Sequence, residues 1–131
     1  MLTKITVGDY MTRRLVTLTK DTNVFDAIKK LMDHKITCAP VVDDRGQLQG
    51  MFSETDGMNV FLESVYNQGM SGKVGDYMTV DIITVTPETS IVDLAKKFQE
   101  SSVRSFPVFE DTELVGIISR TDLLKALAKL N

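Results

Sequence analysis

Ser119-Arg120-Thr121-Asp122 sets two hydroxyls, a guanidinium and a carboxylate in four consecutive residues. They stand where an apolar run, Leu114–Ile118, gives way to helical spacing. Such a strand-to-helix corner has the chemistry to hold a sugar phosphate. The Asp122 carboxylate can accept from both hydroxyls of a vicinal diol. Ser119 and Thr121 supply hydroxyl donors. The first helical turn leaves backbone N–H groups without intrahelical acceptors, and its dipole favours an anion there. Arg120 and the upstream Arg104 add positive charge. A planar base would need an apolar slot with backbone polar groups at a strand edge. The segments Ile36–Ala39 and Val103–Phe106, each just before a proline, are the candidate edges. Helix capping alone also accounts for a serine followed three residues later by an acid, and both roles can coexist.

The corner occurs twice. Ser53-Glu54-Thr55-Asp56 is its counterpart, within a duplication marked by the hexamer Val-Gly-Asp-Tyr-Met-Thr at Val7–Thr12 and again at Val74–Thr79. In this register Thr17 meets Thr84, Asp26 meets Asp93 and Pro40-Val41 meets Pro107-Val108. The second copy lacks one residue in the turn Asp43-Asp44-Arg45-Gly46, where a hairpin tolerates a deletion. Beyond it Gly50 meets Gly116 and Thr55-Asp56 meets Thr121-Asp122. The repeats are expected at 1–66 and 74–131, with a linker loop at 67–73. The copies differ where charge matters: Glu54 replaces Arg120 and Thr37 replaces Arg104. If those side chains face the cleft, an anionic group is expected at the Ser119 corner and disfavoured at the Ser53 corner; the alternative is that Glu54 and Arg120 both point into solvent, the usual place of a charge.

The elements that must position these corners follow from spacing. Leu15–Leu18 and Ile82–Val85 are predicted as short extended segments. Asn23 and Ser90, each followed three residues later by an acid, predict helix starts. The runs behind them carry Val24, Ala27, Ile28 and Leu31, then Ile91, Leu94, Ala95 and Phe98, at helical spacing. Ile36–Val42 and Val103–Phe109 predict strands, each with a proline that suits an edge or a bulge. Leu48–Phe52 and Leu114–Ile118 predict the returning strands. Ser53 and Ser119 then open helices carrying Met58, Phe61, Leu62 and Val65 in one copy, and Leu123, Leu124, Leu127 and Leu130 in the other. Each copy reads β-α-β-β-α. Units of about 55 residues are marginal alone and bury a useful core together.

Composition narrows the function. The chain has 131 residues, is 43% hydrophobic and 25% charged, and carries a net charge of −3. That balance argues against a general nucleic-acid surface, which needs a basic excess. No apolar run is long enough to span a bilayer, and Met1–Thr6 holds no apolar signal core. A cytoplasmic location is the expectation, with no membrane partner. Cys38 is the only cysteine, so no internal disulfide forms, and it reads as a small core residue. His34 is the only histidine, which argues against a zinc site, and it suits a helix C-terminus. Met11 and Met78 read as core. Neither a phosphate-loop motif nor a dinucleotide fingerprint is present. No constellation for catalysis stands out, so the chain is not expected to be an enzyme.

Taken in order, Tyr10-Met11-Thr12 and Tyr77-Met78-Thr79, the two Pro-Val pairs, Gly50–Asp56 and Val115–Leu123 resemble a pair of CBS (cystathionine β-synthase-type) domains, a Bateman module. The resemblance covers nearly the whole chain. It implies an α+β fold in which two β-α-β-β-α repeats pack through their sheets with pseudo-two-fold symmetry and leave two clefts. It also implies an adenosyl ligand (AMP, ADP, ATP or S-adenosylmethionine) acting as a regulator, with no catalytic cofactor. In these terms the nucleotide-binding set is Ser119, Arg120, Thr121, Asp122, Arg104, Val103, Ile36, Thr37 and Thr17. A weaker second cleft takes Ser53, Thr55, Asp56 and Thr84, and Gly57 departs from the family's apolar residue after the aspartate. The implied partners are a second copy of the chain and an effector protein on which the response acts. The competing expectation is a ligand-free scaffold that dimerises through the apolar faces near Met58–Val65 and Leu123–Leu130.

Overall fold

The computed structural model describes residues 4–67 and 72–130. Residues 68–71 of the expected linker, and 1–3 and 131 at the ends of the expected repeats, lie outside the described residues. The elements run α1 (Val7–Tyr10), α2 (Val24–Asp33), β1 (Cys38–Val42), β2 (Leu48–Ser53), α3 (Glu54–Asn67), α4 (Val74–Tyr77), α5 (Ile91–Gln99), β3 (Ser105–Glu110), β4 (Glu113–Ser119) and α6 (Arg120–Ala128). They gather into two compact units, one from Met1–Leu15 with Ile83–Asn131, the other from Val16–Ile82. The hexamer of each copy therefore folds with the strands of the other copy. The α+β class with two repeat-like halves agrees with the expectation from sequence.

In the Val16–Ile82 unit, β1 and β2 pair antiparallel, with Cys38 opposite Ser53 and Pro40 opposite Met51. The loop joining them brings Asp43 N–H to Gln47 O at 3.0 Å, with Gly46 at φ 79°. A three-residue hairpin loop with a left-handed glycine is a common solution. On the far side of β1 the segment expected to be extended makes a single parallel bridge, Leu18 to Val41. Leu18 N–H donates to Pro40 O, and Val42 N–H donates to Leu18 O. Extending the ladder toward residue 16 would need an N–H from Pro40, which has none. The free side of β2 is taken by Thr79, which exchanges both backbone bonds with Met51 at 2.9 Å. Val24, Leu31, Val41, Phe52, Val60 and Val74 are among the residues of this core.

The other unit repeats the plan. Pro107 faces Ile117 across β3 and β4, and Val85 bridges Val108 on the outer side. Its hairpin is one residue shorter: Glu110 pairs with Glu113, and Asp111 takes φ 56°. Thr12 N–H donates to Ile117 O at 2.8 Å, and Ile117 N–H returns the bond at 3.0 Å. Val7, Met11, Ile91, Phe98, Phe106 and Ile118 lie in this core, where the Phe98 and Phe106 rings sit 4.6 Å apart. Met11 is buried as expected; Met78 is partly buried against the other core.

The helix starts match their predicted caps. Asn23 Oδ1 accepts from Phe25 N–H at 2.8 Å, and Ser90 Oγ accepts from Asp93 N–H at 3.1 Å. At the end of α2, Lys35 adopts φ 54°, while Lys35 N–H reaches Met32 O and Ile36 N–H reaches Leu31 O. This is the left-handed terminus that glycine usually supplies. His34 lies at that end, as expected, with Nδ1 2.9 Å from Lys30 O. The hexamers form one helical turn each, α1 and α4, which spacing alone did not single out.

One expectation for the last helices needs correction. Leu123, expected on the outer face of α6, is 8% exposed and packs in its own unit's core, leaving Leu124 outside. In α6 the buried residues are Leu123 and Ala126, three apart on one helix face. In α3 the apolar residues Met58, Phe61, Leu62 and Val65 are all exposed, in line with the apolar face expected near Met58–Val65, and the inward face is carried by Val60 and Asp56.

A Cβ at Gly116 would lie 2.7 Å from Thr12 O, and one at Gly50 would lie 2.9 Å from Thr79 O. Both contacts are with backbone, so the exchanged segment must retreat if a side chain is added. Gly116→Ala is expected to cost about 1–3 kcal/mol of stability, the range for overpacking a close contact. Urea denaturation followed by circular dichroism checks this, and an unchanged midpoint would contradict the close docking.

Candidate functional site

Both corners are built by the same local device. At the end of β4, Ser119 N–H and Oγ each donate to Asp122 Oδ2 at 2.9 Å, and Asp122 N–H donates back to Ser119 Oγ at 3.1 Å. At the end of β2, Ser53 N–H donates to Asp56 Oδ2 at 2.8 Å and Ser53 Oγ at 3.1 Å, with Asp56 N–H returning to Ser53 Oγ at 3.4 Å. These are capping boxes with aspartate in the third position. None of the bonds uses the aspartate Oδ1, so capping and ligand contact are compatible on one carboxylate.

The loop ahead of each hairpin is tied to its corner. Arg120 N–H donates to Arg104 O at 3.0 Å, and Glu54 N–H donates to Thr37 O at 2.9 Å. Arg104 thus comes to the helix start that carries Arg120 and Thr121, and all three side chains are exposed. Val103 is exposed beside them, its N–H turned to Ser101 Oγ. Thr84 belongs to the same unit and is exposed. Thr17, Ile36 and Thr37, expected with the Ser119 set, belong by chain position to the unit of Ser53, Thr55 and Asp56. There Thr17 O accepts from Lys30 Nζ at 2.9 Å.

The corners differ in depth. Asp56 is 6% exposed, whereas Asp122 is half-buried. Gly57 helps to explain the difference: a Cβ there would lie 3.3 Å from Ile28 Cγ1, so α3 rests on the Ile28 side chain of α2 with no side chain of its own at that point. Leu123 stands at the equivalent place in α6. Burial raises the Asp56 pKa above its ordinary value, and the backbone and hydroxyl bonds from Ser53 act against that rise.

Sequence reasoning missed what positions the corners. Thr12 pairs with Ile117, two residues before Ser119, and Thr79 pairs with Met51, two residues before Ser53. The signal was present as the identical hexamer, whose last residue makes this pair in both copies. Among the described residues, no three His, Cys, Asp or Glu side chains gather as a metal site would require. No described helix is long and apolar enough to cross a membrane.

The model of the CBS domain matches residues 7–63 and 74–129. The chain is 34% identical to the CBS domain-containing protein CBSX3, mitochondrial, of Arabidopsis thaliana, over 83% of this chain and 54% of that one. It is 30% identical to the uncharacterized protein MJ1225 of Methanocaldococcus jannaschii, over 92% of this chain and 42% of that one. The chain thus spans about half the length of these curated relatives. Among solved structures it resembles CBSX2 of Arabidopsis thaliana, described in complex with AMP: the TM-score is 0.83 at 32% identity, covering 96% of this chain and 98% of that one.

Asp56 sets a pH dependence. Its folded pKa lies above its unfolded value, so it favours the folded state at low pH. That contribution is lost as pH rises from about 3.8 through the raised folded value. The stability of the natural chain minus that of Asp56→Asn is therefore expected to fall across this window and then level. Urea titrations of both proteins at a series of pH values check it; a flat difference would contradict the burial of an ionisable carboxyl.

Proposed function

Since this chain belongs to the CBS domain family, we propose that it is a regulatory module that binds a phosphorylated adenosyl ligand of the AMP class and signals its presence to an effector protein. The observation that carries this reading is the Ser119–Asp122 corner. There the Arg120 N–H to Arg104 O bond brings two exposed arginines to the start of a nine-residue helix. Asp122 keeps Oδ1 outside its capping bonds for a ribose diol. Thr121 offers a hydroxyl, and the helix N-terminus favours phosphate oxygens. CBSX2, 32% identical to this chain and described with AMP, supports the class of ligand. Binding shifts the equilibrium between conformations of the module, and the effector reads that shift.

Self-association is the second part of the reading. Met58, Phe61, Leu62 and Val65 on α3 are each more than half exposed, and α6 exposes Leu124 at 62%. A run of this kind on one helix marks an interaction face, and a second copy is the occupant that the family resemblance implies. The same faces support the alternative of a ligand-free scaffold, and ligand titration separates the two.

Calorimetry with AMP is expected to show saturable binding. Arg120→Ala should weaken AMP about tenfold, the worth of a charge-assisted hydrogen bond, with adenosine affinity unmoved. Absence of binding by any adenosyl compound would favour the scaffold. In sedimentation velocity the natural chain is expected as a dimer and Phe61→Glu as a monomer; a natural chain that is monomeric at all concentrations would remove the self-association.

A further inference from the structure

The outer faces of α3 and α6 are unlike in charge and in bulk. Met58, Phe61 and Leu62 stand on α3 where Leu124, Leu127 and Ala128 stand on α6, and all six are exposed. The large side chains of α3 thus correspond to a shallower surface on α6, lowest at Ala128. The aspartate in each first turn is drawn into its capping box. Beyond these, the charged residues of α3 are Glu54 and Glu63, with no basic residue between Glu54 and Asn67. Those of α6 and its C-cap are Arg120, Lys125 and Lys129, all exposed. Two positions are equivalent in the repeat and opposite in sign: Glu54 with Arg120, and Glu63 with Lys129. Glu63 and Lys129 each meet the hexamer tyrosine of their own unit. Tyr77 Oη donates to Glu63 Oε2 at 2.5 Å, and Lys129 Nζ lies 5.6 Å from the centre of the Tyr10 ring. One tyrosine holds a negative edge on α3, the other a positive edge on α6.

Complementarity separates the ways in which two copies can meet. Pairing like with like sets Glu54 and Glu63 of one α3 beside those of another, and the three bases of α6 beside three more. Like charges brought together across an interface are costly. Such pairing also sets Phe61 and Leu62 against the same bulky pair. Pairing α3 with α6 sets acids against bases and the bulky pair over Leu127 and Ala128. Both rows run at i, i+3 and i+4, the spacing by which the ridge of one helix enters the groove of another. We infer that the apolar face of α3 docks on α6 of a second copy, bulky on small and acid on base, so that unlike repeats pair across the interface. In a two-fold dimer the contact is made twice. The inference rests on the reading of these faces as a self-association surface.

Two measurements test it. Leu62→Cys and Leu124→Cys, each in a Cys38→Ser background, are treated with a short bismaleimide, first separately and then mixed and left to exchange subunits. The mixture is expected to give a cross-linked dimer of one variant with the other, and each variant alone to give little. Self-cross-linking of either variant beyond that of the mixture would overturn the inference. The second measurement needs no cysteine variant and reads the sign of a charge effect by sedimentation velocity. Lys125 and its counterpart Asn59 are both exposed, and they are chosen because Arg120 also serves the nucleotide corner. Lys125→Glu and Asn59→Lys are each expected to weaken the dimer about fivefold, the effect of an exposed ion pair counted at two contacts. Under like-with-like pairing each change would relieve repulsion, so an unchanged or tighter dimer overturns the inference. A natural chain that is monomeric at all concentrations removes the self-association reading itself. A dimer whose cross-links join like helices removes only the pairing of α3 with α6.

Discussion

The close docking of a threonine carbonyl on a glycine, made once in each unit, is the constraint from which the rest of the fold follows. Thr12 lies on Gly116 and Thr79 on Gly50, each closer than any side chain would allow. The neighbouring backbone then exchanges two hydrogen bonds, Thr12 with Ile117 and Thr79 with Met51. These bonds satisfy the free side of β4 and of β2, which would otherwise be exposed edges. They also bring in α1 and α4, whose Val7 and Val74 reach the two cores. Two residues further along each strand stands the serine that opens the corner, so the anchor of the sheet also aims the candidate site.

Each corner uses one carboxylate for two purposes. Oδ2 of the aspartate closes the capping box, which fixes its rotamer, and Oδ1 is left outside those bonds. A group held in this way is preorganised for a ligand. Divergence between the copies acts on the surroundings and leaves the device alone. Gly57 lets α3 settle on Ile28 and goes with the deeper burial of Asp56, while Leu123 fills the core beneath α6. The serine and aspartate geometry is nearly the same in both. The two corners thus present similar hydroxyl and carboxylate groups with unlike neighbours.

Much of this was legible without coordinates. The capping residues Asn23, Ser90, Ser53 and Ser119, the apolar stripes of α2 and α5, and both hairpins follow from local preferences, and each formed where its spacing indicated. Pro40 and Pro107 were legible as signs of an edge or a bulge, and each hairpin shifts register just after its proline, between Val41 and Val42 and between Val108 and Phe109. The apolar outer face of α3 was anticipated near Met58–Val65, but the residues that carry its inward face, Val60 and Asp56, were not. Leu123 was misread because periodicity gives a stripe but not its direction.

The duplication, its β-α-β-β-α plan and the chemistry of the two corners are properties of the sequence by itself. Which segment completes which unit was decided only in three dimensions. The two hexamers are identical, and Gly50 and Gly116 offer them equivalent seats, so nothing local tells Thr12 to choose Gly116. Counted along the chain, residues 1–66 hold eight basic and nine acidic side chains, and 67–131 hold seven and nine, an almost even division. Counted in the folded units, the balance becomes nine against eight and six against ten. The separation of charge arises from long-range backbone pairing, which no pattern within a single repeat records.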